Sequence, residues 1–173
     1  MTDWDLTPKR VADSHVTLTQ MMEVTDANIA GNVHGGAIMR LVDTAAGLAA
    51  IRHASGLCVT VAIDEMTFLE PVHIGDVLVL NASVTAAGRT SVEVGVRVDA
   101  LDPISGGTRH ANSAYLVFVA VDERGAPRPV PALIAESETE KRRQREASLR
   151  RGARLAHKEA VKAARRSESA DGD

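Results

Sequence analysis

Aromatic residues are almost missing from this chain: one Trp, one Tyr and two Phe among 173 residues. A core must therefore be assembled from Val, Leu, Ile and Ala, and little is available for stacking on nucleobases. Cysteine occurs once, at Cys58, which excludes an internal disulfide and a cysteine-based metal cluster. The six histidines (His15, His34, His53, His73, His110 and His157) show no ligand spacing, so no metal is expected. No uncharged apolar run reaches the roughly 18 residues of a membrane helix, and the opening MTDWDLTPKR is unlike a signal peptide. These absences lead to the expectation of a soluble, cytoplasmic protein with one domain and neither a membrane nor a nucleic acid as partner.

The net charge of −3 conceals an asymmetry. Residues 1–135 carry 9 Lys or Arg against 15 Asp or Glu, a balance of −6; residues 136–173 carry 11 against 8, a balance of +3. A basic tail on an acidic body raises the question of nucleic acid or anionic lipid. The tail mixes both signs and lacks aromatics, which favours a solvated helix instead.

Hydrophobic periodicity divides the rest. Ser14–Val24 alternates loosely and reads as a first strand. A loop over Asp26–Gly36 follows, then a helix over about Gly36–Ala54 that ends near Ser55-Gly56. Apolar residues surround that helix almost completely, which predicts a buried position. Four more strands are expected over Leu57–Phe68, Asp76–Ala86, Ser91–Leu101 and Arg109–Val121, with a hairpin at Ala87-Gly88-Arg89-Thr90. The order β-α-β-β-β-β predicts an α+β fold, a curved antiparallel sheet wrapped around one central helix. Three prolines at 127, 129 and 131 close this domain, leaving residues 1–13 as a lead-in segment and 14–131 as the domain. Residues 132–173 form a charged helical tail, helical to about Arg166 and disordered over Ser167–Asp173.

The chemistry concentrates where the loop meets the helix. A helix N-terminus presents unpaired N–H groups and about half a positive charge, and Gly35 and Gly36 allow a ligand oxygen to approach them. Asp43 lies seven residues beyond Gly36, on nearly the same helix face, and is the only acid between Ala37 and Ile51. It reads either as an i,i+3 partner of Arg40 or as a functional carboxylate, since burying an unpaired acid among apolar neighbours is costly. Asn32 is either a helix cap or a group that holds a carbonyl or a water. His34 reads as a packing residue or a base, and Thr60 as a plain strand residue or a support for the carboxylate. Arg89, beside Thr90 and Ser91 at the hairpin, is a solvated side chain or a phosphate-binding cation, and Cys58 a small core residue. An anion-stabilising helix end, an amide and a carboxylate together suit hydrolysis of an activated acyl group.

The quoted residues resemble a known family. The segments Asp26-x-Asn28-x-x-Gly31-Asn32-Val33-His34-Gly35-Gly36, Leu41-x-Asp43, Val59-Thr60, Phe68-x-x-Pro71-Val72-x-x-Gly75-Asp76, Gly88-Arg89-Thr90-Ser91 and Pro129-Val130-Pro131 are together similar to hotdog-fold acyl-CoA thioester hydrolases. The chain is especially similar to the cytosolic long- and medium-chain acyl-CoA hydrolases, including the brain-type enzymes, over about residues 14–132. The resemblance implies hydrolysis of fatty acyl-CoA, with coenzyme A as part of the substrate and no cofactor or metal. It further implies a homo-oligomer, at least a dimer and in many members a trimer of dimers (a hexamer). Asn32 and Asp43 would then meet in one site from opposite subunits. On this reading Asn32, Gly36, Asp43 and Thr60 are the catalytic set, and Gly35, Arg89, Thr90 and Ser91 bind coenzyme A. Asp43 would act as general base or, through an anhydride, as nucleophile. Three rivals carry different expectations: a non-catalytic acyl-CoA-binding regulator acting through its tail, an aryl-CoA thioesterase, and an enoyl-CoA hydratase. Ile29 and Gly31 replace the Pro and His of the hydratase motif.

Overall fold

The structure, a computed structural model, describes residues 4–170, with side chains described through Arg166. Two short segments, β1 (Lys9–Arg10) and β7 (Leu133–Ile134), pair in parallel. The main sheet is antiparallel and contains β2 (Val16–Met21), β3 (Cys58–Phe68), β4 (Val77–Ala87), β5 (Ser91–Leu101) and β6 (Thr108–Ala120). Its spatial order is β2-β4-β5-β6-β3, so β2 and β3 are the edges. Helix α1 (Gly35–Ala54) lies on one face. The predicted hotdog architecture is the one observed.

Alternation explains the layering, because successive strand side chains point to opposite faces. Val92, Val94, Val96 and Val98 of β5, with Leu78, Leu80, Ala114, Leu116 and Phe118 of the neighbouring strands, form the buried layer under α1. The helix contributes Ile38, Leu41, Val42, Ala45, Ala46, Ala49 and Ala50, and its alanines permit the close approach. The expectation that α1 is buried all round needs correction. Met39, Leu48 and Ile51, on the side away from the sheet, are exposed within one chain.

The end of α1 is held by residues far away in sequence. Ser55 takes the left-handed conformation (φ 53°) that stops the helix. Arg128 donates through Nη2 to the Ala54 carbonyl at 2.9 Å and places its guanidinium over the Trp4 ring. Buried His53 donates from Nε2 to the Pro131 carbonyl at 2.9 Å. The Pro-Val-Pro segment thus serves as a strap across the helix terminus.

The tail folds differently from the expected solvated helix. Helix α2 (Glu138–Ala170) starts six residues later than expected and continues through part of the segment anticipated as disordered. Residues 171–173 of that segment lie outside the described residues. Ser137 and Glu140 form a capping box: Glu140 N–H donates to Ser137 Oγ at 3.2 Å, and Ser137 N–H to the Glu140 carboxylate at 2.9 Å. The first half of α2 then docks on the sheet face opposite α1. Ala147 is buried there, Arg150 pairs with Glu93 at 2.7 Å and covers the Tyr115 ring, and Arg154 pairs with Asp64. Among the described residues no helix is long and apolar enough to cross a membrane.

Candidate active site

Asn28 organises the loop before α1. Its Oδ1 accepts from Ala30 N–H (2.9 Å) and Asn32 N–H (3.2 Å), and its Nδ2 donates to the Val33 carbonyl at 3.4 Å. The loop is joined to the β3–β4 connection by Val33 N–H on the Val72 carbonyl at 2.8 Å. These bonds occupy the Asn32 backbone and leave its side-chain amide without a partner among the described residues. In the sequence Asn28 stands out only as one letter of the motif. Its side chain proves to be the one that shapes the turn, a role that a short polar residue in a loop signals by type.

The helix cap corrects two expectations. His34, not Asn32, is the N-cap: its Nδ1 accepts from Gly36 N–H at 2.8 Å. The Gly36 N–H is therefore turned to the imidazole and is not an open donor. His34 N–H itself donates to the Asp26 carbonyl at 2.7 Å, fixing the ring over the helix start. Gly35 N–H has no partner among the described residues, so the open donor at the helix start is that of Gly35 rather than Gly36. A Cβ at Gly35 would stand 3.4 Å from the Phe68 ring, which shows how closely that aromatic packs on the helix start.

Asn32 and Gly35 border one open cleft of about 450 Å³, with Val33, Ile38, Phe68 and Pro71 as its apolar walls. Across the sheet, Phe68 opposes Asn112 of β6, whose fully buried side-chain amide has no partner on either atom among the described residues. No sequence signal marked Asn112, because it stands within an otherwise strand-like run.

Asp43 does not reach that cleft. It is half-buried on α1, and Thr60 Oγ1 donates to its Oδ1 at 2.7 Å from the edge strand. The alternative pairing with Arg40 is not made. Eight residues separate Gly35 from Asp43, about 12 Å along a helix axis at 1.5 Å per residue. Within one chain the two groups are thus set well apart along the helix. The register shifts of β3 between Thr60 and Ala62, and between Ile63 and Glu65, are β-bulges of the kind that re-aim side chains at an edge.

The hairpin residues sit elsewhere. Gly88 N–H donates to the Ser91 carbonyl at 2.7 Å, closing the turn, while the Thr90 carbonyl accepts from Ala120 and the Arg89 carbonyl from Val130. The Arg89 side chain is exposed. The thiol of Cys58 is pushed up to about 11 by burial, the behaviour of a packing residue rather than a nucleophile. Among the described residues there is no group of three or more metal-ligating side chains.

Known proteins share the sequence pattern and the fold of this chain. Residues 30–106 match the family described as the Thioesterase superfamily. The chain is 34% identical over 139 residues to the cytosolic acyl coenzyme A thioester hydrolase of Mus musculus, covering 79% of this chain but 36% of that protein. It thus spans about a third of the length of this mammalian relative. A solved apo-hexameric acyl-CoA thioesterase is 35% identical, with a TM-score of 0.84 over 87% of this chain and 97% of that one. The acyl-CoA hydrolase of Staphylococcus aureus, solved with butyryl coenzyme A and coenzyme A, is 30% identical with a TM-score of 0.84, covering 93% and 98%. That enzyme has also been solved with an aspartate, a threonine or an asparagine replaced by alanine. Motif, sheet topology and similarity along nearly whole chains lead to one conclusion: this chain belongs to the hotdog acyl-CoA thioester hydrolases of the thioesterase superfamily.

Proposed function

We propose that the protein hydrolyses fatty acyl-CoA to free acid and coenzyme A, in the cytoplasm, in a site completed by a second copy of the chain. The carrying observation is the separation of two unused groups: the open Gly35 N–H with Asn32 at one end of α1, and Asp43 with Thr60 about 12 Å along the helix. A neighbouring protomer resolves it. The exposed face of α1 (Met39, Leu48, Ile51) and the exposed Val59 and Val61 of edge strand β3 are the apolar surfaces such a partner would cover. The similarity to a hexameric thioesterase supports a trimer of dimers.

In this reading Gly35 N–H and the Asn32 amide polarise the thioester carbonyl, while Asp43 of the partner subunit takes a proton from water. The water oxygen bonds to the carbonyl carbon, the carbon–sulfur bond breaks, and the departing thiolate recovers the proton from the acid. A backbone donor at such an oxyanion contributes about 2.7–4 kcal/mol in other enzymes. Water and side chains suffice for the reaction, so neither cofactor nor metal enters it. The residue types replaced by alanine in the Staphylococcus aureus enzyme (aspartate, threonine, asparagine) are the types gathered here.

Thiol release tests the reading. Asp43→Ala and Asn32→Ala should each abolish turnover. Coexpressed, the two variants should recover about a quarter of wild-type activity, because half of the randomly formed dimers would contain one intact site of two. Full activity in either single variant, or no recovery in the mixture, would refute the composite site.

A further inference from the structure

A second cleft, of about 340 Å³, lies between the β4–β5 hairpin and α2. Helix α2 contributes Arg145, Ser148 and Arg151 to it; the sheet contributes Gly88, Ser91 and Glu93. Charges around it are unequally compensated. Glu93 is neutralised by Arg150, and Arg154 on the same wall by Asp64. Arg145 and Arg151 form neither an ion pair nor a hydrogen bond among the described residues. Two uncompensated guanidiniums therefore border one concave space.

The hairpin is shaped to receive them. A Cβ at Gly88 would stand 3.2 Å from Arg151 Nη1 and 3.3 Å from Ser91 Oγ. The guanidinium and the hydroxyl converge on the turn because residue 88 has no side chain. Paired guanidiniums with a hydroxyl donor match the several acceptor oxygens of a phosphomonoester, and they bind it more tightly than they bind a singly charged carboxylate.

The cleft lies on the outer sheet face, opposite α1, two strands from Thr60, the partner of Asp43. Thr60 opposes Phe118, and Phe118 opposes Val92, the residue after Ser91. Two ladder steps of about 4.8 Å separate β3, whose Thr60 bonds to Asp43 of α1, from β5, whose outer face borders the cleft. The substrate class assigned above carries one phosphomonoester, the 3′-phosphate of the ribose, joined to the thioester by the long pantetheine-diphosphate arm.

We propose that Arg145 and Arg151 of α2, with Ser91, bind the 3′-phosphate of the coenzyme A part of the substrate, so that the basic tail is part of the substrate site. This assignment rests on the hydrolase reading. The test compares thiol release from an acyl-CoA with release from the same acyl group on 3′-dephospho-CoA, using the full-length chain. Wild type should favour the phosphorylated thioester by about tenfold or more in kcat/KM. An Arg145→Gln/Arg151→Gln double variant, which retains good helix formers, should bring that ratio to about one, with the loss in KM. A ratio near one in wild type, or the wild-type ratio in the variant, overturns the proposal while leaving the hydrolase reading standing.

If neither thioester is hydrolysed, the hydrolase reading fails instead, and equilibrium binding decides the cleft separately. Adenosine 3′,5′-bisphosphate should then bind wild type about tenfold more tightly than the double variant. Equal binding, or equal competition by adenosine 5′-monophosphate, counts against a 3′-phosphate site.

Discussion

Thr60 and Asp43 are 17 residues apart in sequence and 2.7 Å apart in space, joined by a hydroxyl of the edge strand donating to a carboxylate of the central helix. The bond fixes one oxygen of the carboxylate and leaves the other for substrate or water. On the proposed mechanism Thr60 is a positioning residue for Asp43. A hydrogen bond to a charged group is worth about 1.5–3 kcal/mol, so Thr60→Ala should lower kcat about 10- to 100-fold. Asp43→Asn should lower it about 10²- to 10⁴-fold, the usual contribution of a general base. Thiol release under saturating substrate measures both. A Thr60→Ser variant, which keeps the hydroxyl, should recover most of the loss.

The docking of α2 depends on a mostly buried pair. Glu93 and Arg150 are 57 residues apart, and Thr85 Oγ1 also donates to the Glu93 carboxylate at 2.7 Å. Removing one partner strands the other charge away from water. Arg150→Ala should destabilise the protein by about 3 kcal/mol, as measured by urea unfolding, whereas the double change Glu93→Leu/Arg150→Met should cost clearly less.

Stability should also fall on mild acidification. Burial lowers the His53 imidazole below its ordinary value. The unfolded chain, with His near 6.5, then binds a proton that the folded chain refuses. This contribution is fully present above about pH 6.5 and is lost as pH falls from there towards the folded value. His53→Gln should flatten the stability profile between pH 7 and pH 5 in thermal melts. An unchanged slope would assign the acid sensitivity to other groups.

Cys58 supplies a simple control. With its thiol pushed up to about 11 by burial, the folded protein should react with a disulfide reagent at neutral pH about 10²-fold more slowly than the unfolded chain. The rate of colour development before and after denaturant reads this directly. A fast folded-state reaction would mean that β3 opens at its first residue.

Much of the architecture was legible because it is encoded by local spacing. The clean alternation of Val92, Val94, Val96 and Val98 marked a strand whose bounds coincide with β5, Ser91–Leu101. The apolar run after Gly36 marked α1 to within one residue at its start, and Ser55-Gly56 marked its stop. The motif around Asn32, Gly35 and Asp43 pointed to the family for a similar reason: turn, cap and carboxylate all lie within 18 residues. What that motif could not convey was orientation. Whether His34 or Asn32 caps the helix depends on which side chain the loop turns towards Gly36, and Asn28 controls that turn.

What the sequence by itself determined is therefore the set of elements, their order and the chemical types at the helix start, since periodicities of 2 and 3.6 and turn residues act over a few neighbours. The tertiary structure alone decided which groups meet. Thr60 finds Asp43 because an edge strand passes beside α1, and Arg150 finds Glu93 because alternation turns that acid to the outer sheet face, where α2 lies. The pairing of β1 with β7 and the hold of Arg128 and Pro131 on α1 likewise join residues more than 70 positions apart. Such contacts have no local signature, because their energy comes from burial and charge compensation that exist only after the sheet has formed.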